Sequence, residues 1–476
     1  MHPKKSDSGV KMRNLLSKLR LPSFLARPSF LTRLARDTRG VSAVAFAISF
    51  AVLTPMALSV FDVYQSTEQR GKLQDALDAA ALYAAKSTAT DTPGISAVGA
   101  KALNANLQLI NGATLTSSNF TLVSASGDNK VVAQAQVALP AFAPLAFTHQ
   151  PVTVNAEVTR PGNNLEVALV LDTTGSMGGS RIANLKTAAN QLIDLVVSDQ
   201  QSPYYSKIAI VPYSSSVNPG AYVNTVRGTA AAGTGINVVG QANMQFTNQS
   251  GGSKTFAVGN CVSERAGAQA FTDVSYSTAK VGWVYTNGVE NACIGAAIKP
   301  LSSDKTALKA TIASLAAANS TAGQIGLAWG WYMVSPNWAS LVPAASQPAA
   351  YGTPHLLKVV ILMTDGAFNT AYCKGVIAKD AGSGSGSTSN HINCNATNGN
   401  AFAQAAALCA NMKAAPNNVI VYSVGFDVGS DASAQSVLAN CATDAAHVYF
   451  PADDGTSLSV AFQAIASDLN RLRISH

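Results

Sequence analysis

Four near-continuous apolar runs in the second half of the chain alternate with segments of helical periodicity. Runs of this kind are typical of parallel strands that are buried on both faces. The predicted strands are LEVALVLDTT (165–174), KIAIVPYSS (207–215), LLKVVILMTDG (356–366) and NVIVYSVGFD (418–427). Helices are predicted over residues 181–197, 324–334, 401–412 and 432–440. The alternation predicts an α/β fold with a doubly wound, mostly parallel sheet.

Two stretches rich in small polar residues interrupt this alternation. Residues 217–300 are rich in Gly, Asn and Thr, and residues 371–400 contain GSGSGS at 382–387. Long segments of this composition do not continue a buried sheet, so we interpret both as surface insertions. The sequence thus predicts a sheet domain over residues 161–474 that carries two insertions.

An uncharged apolar segment, VSAVAFAISFAVLTPMALSVF, covers residues 41–61. A helix of this length extends about 31 Å, which matches a hydrocarbon core of about 30 Å. Pro55 is tolerated inside a membrane helix because neighbouring groups satisfy the freed carbonyl. We therefore predict a transmembrane anchor over residues 40–62.

Basic residues are concentrated before this anchor. Residues 1–39, the predicted tail, hold ten of the 32 Lys and Arg residues but only two of the 25 Asp and Glu residues, so the net charge of +7 belongs to the tail. The positive-inside rule places such a flank in the cytoplasm. We predict a single-pass inner-membrane protein with a cytoplasmic N-terminus and a periplasmic body. That body is nearly neutral, which argues against binding to nucleic acid.

Two further interpretations of the N-terminal segment stay open. Ala57-Leu58-Ser59 resembles a cleavage site, so the apolar run is alternatively a signal peptide, although such runs usually span about 7–15 residues. Residues 12–36 intersperse Leu and Phe with Arg and Lys. This pattern is typical of a helix lying on an anionic leaflet and equally of a solvated tail.

Residues 63–160 are predicted to form a helix followed by a small α+β region. Leu73, Leu77, Ala80 and Ala84 recur at helical spacing, so the helix continues out of the bilayer over residues 63–86 with one apolar face. This face packs either on the following domain or on helices of neighbouring molecules. Alternating apolar residues predict strands at 120–126, 131–139 and 152–159, with a hairpin turn at Gly127-Asp128-Asn129.

The six cysteines all lie downstream of the anchor. None forms a C-x-x-C pair, which disfavours a zinc ribbon, and an even number beyond a membrane segment is typical of disulfides in an oxidising compartment. We favour the sequential pairing Cys261–Cys293, Cys373–Cys394 and Cys409–Cys441. Zinc binding by Cys373, His391 and Cys394 is the alternative.

Three oxygen-rich segments are expected at one edge of the sheet, because ligands bind at the carboxyl ends of the strands in open α/β sheets. Asp172, Thr174 and Ser176 alternate on a loop after the first strand, and Gly175 permits a tight turn there. Thr364-Asp365-Gly366 ends another buried strand. The turn Asn319-Ser320-Thr321 opens the helix at 324–334.

These side chains match the preference of a hard divalent cation. Mg²⁺ takes six oxygen ligands at about 2.0–2.1 Å and keeps several waters. Asp172 and Asp365 supply the anionic charge, while the hydroxyl ligands add none, so the cation stays electrophilic enough to accept a carboxylate from a partner. The alternative for residues 172–177 alone is a capped helix N-terminus, since Ser and Thr favour that position.

DTTGSM (172–177) followed by TDG (364–366) resembles the metal-ion-dependent adhesion site of von Willebrand factor A domains. That pattern is D-x-S-x-S, a separate Thr and a later Asp. Asp172, Thr174 and Ser176 match its first element, with Thr in place of Ser at 174, and Asp365 matches the later Asp. The resemblance implies that Asp365 acts mainly through water. Thr321 is our choice for the separate Thr, with Thr229, Thr234 and Thr306 as alternatives.

A second resemblance covers much of the remaining chain. Residues 36–85 are similar to the N-terminal segment of TadE/TadG-like Flp pilus assembly proteins. GLAWGWYMVSP (326–336) and the ending over 441–475 resemble the C-terminal half of TadG-type proteins. Prepilin-type processing sites place Glu five residues after the cleaved glycine, whereas Ala45 holds that position after Gly40. This departure puts cleavage and polymerisation as a pilin in doubt.

The two resemblances imply a tight-adherence (Flp) pilus assembly or adhesion accessory protein. Its domain would bind a protein partner, a pilus or envelope component that offers a carboxylate, through Mg²⁺, with Mn²⁺ and Ca²⁺ as alternatives. It would take no small-molecule substrate. A pilin-like structural subunit is the second hypothesis.

A metal-dependent hydrolase is the third hypothesis, and the sequence disfavours it. His355 precedes a strand at the opposite end from Asp365, and His447 precedes a late strand, so neither is a candidate base for Ser176. The chain also has no G-x-S-x-G, H-E-x-x-H or P-loop motif. A hydroxyl-rich site without a base binds rather than turns over.

Overall fold

The computed structural model describes residues 41–87, 89, 91–107, 114–125, 128–138, 151–160, 162–202, 204–429, 431–450 and 455–474. The tail over residues 1–39, and with it the predicted membrane-surface helix, lies outside the described residues, as do Gly40 and the start of the predicted hairpin turn. The chain forms two compact units. The first comprises the described residues within Met1–Leu73, Ile110–Ser117 and Gln136–Val154, and the second those within Gln74–Leu109, Ser118–Ala135 and Asn155–His476.

The first helix, α1, runs without a break over Val41–Ala85, with Pro55 inside it. Its apolar part has a mean hydropathy of 2.1 and no buried residue. Within the described part of the chain it is the one helix long and apolar enough to cross a membrane. The predicted continuation beyond the apolar segment is confirmed, since Leu77, Ala80 and Ala84 are fully buried on the predicted face.

A helix and three strands follow α1. They are α2 (Thr92–Leu107), β1 (Thr114–Ala125), β2 (Asp128–Ala138) and β3 (Val152–Arg160), and the strands form a sheet in the order β1-β2-β3. The three predicted strands are confirmed, whereas α2 was not predicted. Its buried residues Ile95, Gly99 and Leu103 recur every four positions, but a glycine interrupts the apolar signal. A side chain at Gly99 would collide with the Phe120 ring, which explains the glycine.

The larger part of the chain alternates strands and helices. Its strands are β4 (Asn164–Asp172), β5 (Ser206–Tyr213), β6 (Ala231–Ile236), β7 (Gln241–Thr247), β8 (Ser253–Ser263), β9 (Gly282–Thr286), β10 (Lys299–Ser302), β11 (Leu356–Thr364), β12 (Tyr372–Cys373), β13 (Val376–Ile377), β14 (Ile420–Gly425) and β15 (Val448–Tyr449). Its helices are α3 (Ser180–Val196), α4 (Val223–Arg227), α5 (Lys305–Ala313), α6 (Gly323–Val334), α7 (Ala401–Lys413), α8 (Ala432–Cys441) and α9 (Gly455–Ile474).

The main sheet has the strand order β10-β5-β4-β11-β14-β15. All its neighbouring pairs are parallel except β10 with β5, which is antiparallel. The order proceeds outward in both directions from β4 and β11, so the sheet is doubly wound and the predicted fold class is confirmed. The edge strand β10 begins at Lys299, so the last two residues of the segment 217–300 belong to the main sheet.

Burial on both faces explains the continuous apolar runs. Along β4, Ala168 and Val170 pack on the side of α6 and α7, whereas Val167 and Leu169 pack on the side of α3 and α9. Close approach of α6 requires small residues, because a side chain at Gly330 would collide with Val170. The sheet core therefore lies between two helical layers.

The first insertion contains its own four-stranded sheet, in the order β6-β7-β8-β9. Met244 and Phe246 from this sheet share a small apolar core with Val376 and Ile392 of the second insertion. The two predicted surface insertions thus pack on each other, which the sequence did not predict.

The predicted disulfide pairing is confirmed in all three cases: Cys261–Cys293, Cys373–Cys394 and Cys409–Cys441. The zinc alternative for His391 is wrong, because both neighbouring cysteine sulfurs are in a disulfide and are no longer thiolate ligands. The third disulfide joins α7 to α8, and the other two tie the insertions.

Candidate metal centre

Two neighbouring parallel strands bring the predicted site residues to one edge of the sheet. Strand β4 ends at Asp172, and Asp365 directly follows β11. The register pairs Met363 of β11 with Leu171 of β4, so the two strands end side by side. The strand order reverses between them, and in such sheets this switch point is where ligands bind.

Asp172 is a fully buried carboxylate that is held by neutral groups. Its Oδ1 accepts a hydrogen bond from the backbone N–H of Thr174 at 2.9 Å. Its Oδ2 accepts hydrogen bonds from Thr364 Oγ1 at 2.7 Å and Tyr213 OH at 3.2 Å. Among the residues that the structure describes, no Lys, Arg or His forms an ion pair with it. Burial raises the pKa of Asp172, and the hydrogen bonds oppose that rise.

Hydrogen bonds between side-chain oxygens connect the loop that follows β4 to Asp365. The hydroxyls of Thr174 and Ser176 lie 2.9 Å apart, and Ser176 Oγ donates to Asp365 Oδ1 at 2.8 Å. The carboxylate of Asp365 is out of contact with solvent. Burial, and next the charge of Asp172, raise the pKa of Asp365 to about 6, while bonds from Ser176 and Arg181 oppose the rise. The structure thus brings four of the five predicted side chains into one hydrogen-bonded chain.

Arg181, in the first turn of α3, contacts the carboxylate oxygen of Asp365 that Ser176 does not contact. Its guanidinium contacts Asp365 Oδ2 at 3.3 Å and also pairs with Asp427. Asp427 follows β14 and adopts a left-handed backbone conformation with φ of 55°. The sequence did not indicate either residue. Tyr213 was also missed, although its position at the end of β5 follows the same end-of-strand rule that identified Asp172.

Thr321 lies on the loop before α6, and this loop forms backbone hydrogen bonds with the loop that follows β4. Gly175 N–H donates to Asn319 O at 2.8 Å, and Ala318 N–H donates to Thr173 O at 2.9 Å. Thr321 itself is buried, and its N–H donates to Asn369 Oδ1 at 2.9 Å. The three alternative threonines are all exposed, which favours Thr321: they are Thr229, Thr234 and Thr306.

The oxygens at this edge are of the kind that a hard divalent cation takes as ligands. The hydroxyls of Thr174 and Ser176 and the carboxylate of Asp365 lie within hydrogen-bond distance of one another, at 2.9 Å and 2.8 Å. Across the described ranges, no group of three His, Cys, Asp or Glu side chains is arranged to hold a metal ion. A cation at this edge would therefore depend on hydroxyl groups and water beside the two carboxylates.

The two histidines considered as possible bases lie away from Ser176. His355 precedes β11, at the opposite end of that strand from Asp365. His447 precedes β15, and its Nδ1 lies 2.6 Å from Asp444 Oδ1. The hydroxyl of Ser176 instead donates to the carboxylate of Asp365.

Residues 40–87 match a family model described as putative Flp pilus-assembly TadE/G-like. The resemblance predicted for residues 36–85 is thereby confirmed over this segment. The resemblance of residues 326–336 and 441–475 to TadG-type proteins stays a prediction. No curated protein matches the chain.

Several solved structures are similar to this chain. One is the vWF domain of the type V pili tip protein Mfa5 from Porphyromonas gingivalis, with 13% identity, coverage of 66% of this chain and 97% of that one, and a TM-score of 0.37. Another is the pilus adhesin SpaC from Lactobacillus rhamnosus GG, with 12% identity, coverage of 75% and 34%, and a TM-score of 0.32. A third is the PilB minor pilin from Streptococcus sanguinis, with 12% identity, coverage of 76% and 79%, and a TM-score of 0.34.

Proposed function

We propose that this protein is a membrane-anchored Flp (tight-adherence) pilus assembly or adhesion accessory protein that binds a protein partner through a divalent cation. The observation that carries the metal-dependent part is the buried carboxylate of Asp172, which has neutral hydrogen-bond partners and a hydroxyl-lined edge beside it. The match of residues 40–87 to a TadE/G-like model supports the pilus context.

In this proposal Asp172, Thr174, Ser176, Thr321 and Asp365 hold the cation, with Asp365 acting mainly through water. The cation would supply an electrophilic position that accepts a carboxylate from the partner. Asp172 contributes fixed charge from a buried, hydrogen-bonded position, while Thr174 and Ser176 contribute neutral oxygens. Mg²⁺ is the proposed cation because it prefers hard oxygen ligands, and Mn²⁺ and Ca²⁺ are the alternatives.

Binding rather than catalysis is the activity that this arrangement supports. The acceptor of the Ser176 hydroxyl is Asp365, one of the proposed ligands, and no histidine takes that role. A nucleophilic serine requires a base that remains available for its proton. A carboxylate engaged in holding a cation does not meet that requirement.

The proposed location is the inner membrane, with the body in the periplasm. The apolar part of α1 supplies a single anchor, and the basic residues before it favour a cytoplasmic N-terminus. The three disulfides favour an oxidising compartment for the body. The partner would therefore be a pilus or envelope component that is reachable from the membrane surface.

The decisive experiment compares wild-type protein with Asp172→Ala and a matched control, Asp199→Ala. Asp199 is an exposed aspartate that follows α3, far along the helix from the metal edge. In purified full-length protein, Mg²⁺ at about 100 times its dissociation constant should raise the unfolding free energy of the wild type and the control by about 2.7 kcal/mol. Asp172→Ala should abolish this increase.

The same variants test the function in cells. Cells with Asp172→Ala at normal protein levels should lose Flp pili or surface adherence, whereas Asp199→Ala should not. Full adherence by Asp172→Ala cells, together with unchanged Mg²⁺ stabilisation of the protein, would falsify the metal-dependent proposal.

A pilin-like structural subunit is the second candidate. It is favoured because the unbroken helix α1 covers most of the residues that match the TadE/G-like model. In that case the sheet domain is carried by an assembly of such helices. Mass spectrometry of the mature N-terminus separates the two candidates. A start at Val41 supports incorporation as a processed subunit, and an unprocessed N-terminus supports the anchored accessory protein.

A further inference from the structure

The loop that carries Thr321 is bound by a residue of the first insertion. Asn291 Oδ1 accepts hydrogen bonds from Ser320 N–H at 3.0 Å and from Ser320 Oγ at 2.6 Å. Asn291 Nδ2 donates to Ser385 O of the second insertion at 2.9 Å. Asn291 is buried and has a left-handed backbone with φ of 58°. Its one amide group therefore joins the Thr321 loop to both insertions.

The segment between β11 and the second insertion also contacts this loop. Thr370 Oγ1 donates to Ser320 Oγ at 2.8 Å. The N–H groups of Asn369 and Thr370 donate to Thr321 O at 2.9 Å and 3.0 Å. Both backbone groups of Thr321 are thus engaged, since its N–H also donates to Asn369. The position of Thr321 depends on contacts that lie outside the sheet and its helices.

Two disulfides stiffen the segments that make these contacts. Cys293, two residues after Asn291, is bonded to Cys261 at the end of β8. Cys373, three residues after Thr370, is bonded to Cys394. Between Asn291 and Cys293, Ala292 O accepts a hydrogen bond from Asn319 Nδ2 at 2.6 Å. The cross-linked insertions therefore reach the loop through short, tethered segments.

We propose that Asn291 is a positioning residue for the cation site, through which the two disulfide-tied insertions set the placement of Thr321 and the affinity for the cation. The proposal rests on the proposed function, because it requires Thr321 to contribute an oxygen to the cation. Residues that hydrogen-bond to metal-binding segments orient the ligands, and their loss commonly weakens metal affinity by about 10–100-fold.

Asn248 is a matched control within the same insertion. It is buried like Asn291, and its Nδ2 donates to Ser389 O of the second insertion at 2.8 Å. Its Oδ1 accepts from Gly252 N–H at 2.7 Å, within its own insertion. Asn248 thus joins the two insertions by the same chemistry, but its hydrogen bonds do not include the Thr321 loop. A general loosening of the insertions affects both variants, and a loss of positioning affects only Asn291.

The experiment measures Mg²⁺ and Mn²⁺ binding to the purified full-length protein by titration calorimetry. Asn291→Gly removes the amide without strain, because glycine accepts a positive φ. We expect about tenfold weaker binding for Asn291→Gly, and binding within about twofold of wild type for Asn248→Ala. Circular dichroism and the absence of free thiols check that each variant is folded and cross-linked.

A double-mutant cycle with Thr321→Ala tests whether the effect passes through Thr321. If it does, Asn291→Gly causes no further loss in the Thr321→Ala background. Should Asn291→Gly not fold, Ser320→Ala replaces it. It deletes the 2.6 Å hydroxyl bond to Asn291, together with the acceptor of the Thr370 hydroxyl, and should weaken binding about threefold. This loss should also vanish in the Thr321→Ala background.

The outcomes separate this inference from the proposed function. Wild-type protein that binds neither cation refutes the proposed function and with it the positioning role. Cation binding that Asp172→Ala abolishes but Asn291→Gly and Ser320→Ala leave unchanged refutes the positioning role alone. Equal losses in Asn291→Gly and Asn248→Ala also refute it, because the effect would then belong to the insertions as a whole.

Discussion

Glu264 is a half-buried acid outside the candidate metal centre, and its replacement should remove a pH dependence of stability. It follows β8, and its Oε1 accepts a hydrogen bond from Tyr372 N–H at 2.7 Å. Part of the residue reaches solvent, but its Oε2 does not. Burial raises the pKa of Glu264 from 4.5 to about 7, and the bond from Tyr372 opposes this rise. The perturbation is Glu264→Gln, which keeps the size and the acceptor.

The raised pKa means that the folded protein holds a proton that the unfolded chain has released. The contribution of Glu264 to stability is therefore full below pH 4.5 and is lost as the pH rises through about 7. One pKa unit corresponds to about 1.4 kcal/mol, so the two pKa values imply a loss of about 3 kcal/mol between these limits. Glutamine does not titrate, so the variant should escape this loss.

The assay is denaturant unfolding of the full-length protein at pH 4.5 and pH 8, in chelator, followed by tryptophan fluorescence. Relative to wild type, Glu264→Gln should gain about 3 kcal/mol of unfolding free energy between the two pH values. Glu157→Gln, at an exposed glutamate paired with Lys130, should track the wild type. Parallel pH profiles for wild type and Glu264→Gln would refute the reasoning, because the carboxyl group would then titrate alike in both states.

Two further predictions concern stability and use the same unfolding assay. Glu166 and Lys358 form a buried ion pair at 2.5 Å. Glu166→Gln should lower the unfolding free energy by about 3 kcal/mol because it leaves the lysine charge buried and unpaired, and adding Lys358→Met should restore most of that loss. A double variant no more stable than Glu166→Gln would contradict this. Replacing Cys409 and Cys441 by Ala should lower the unfolding free energy by about 2–4 kcal/mol. The cation affinity measured by calorimetry should stay unchanged, because this disulfide joins α7 to α8 away from the Thr321 loop. Weakened cation binding would contradict this independence.

Local pattern predicted the main sheet because burial on both faces leaves a continuous signal. The run predicted at 356–366 corresponds to β11, and the predicted helix at 401–412 to α7. The insertion sheet had no such signal, since β6 is short, glycine-containing and mostly exposed. The helix α2 was missed because Gly99 occupies a buried position of its apolar stripe.

The candidate site divides in the same physical way. Asp172 and Asp365 were identified because each ends a recognisable strand and parallel neighbours end at the same edge. Arg181 and Asn291 were not, because their roles come from contacts with residues that are distant in sequence, which no local periodicity records. The ends of predicted strands therefore identify site residues that the sheet itself positions. They do not identify residues that insertions or helices bring to the site.

The candidate site has two buried carboxyl groups at the edge of the sheet that the disulfide-tied insertions contact. Burial raises the pKa of both Asp172 and Asp365, so ionising either carboxyl group costs more free energy in the folded protein than in the unfolded chain. Arg181 contacts Asp365, whereas Asp172 relies on hydrogen bonds from neutral groups. The Thr321 loop is likewise held by neutral side chains, those of Asn291 and Thr370. A lysine introduced at this edge would pair with Asp172 and would compete with the proposed cation for that buried carboxylate.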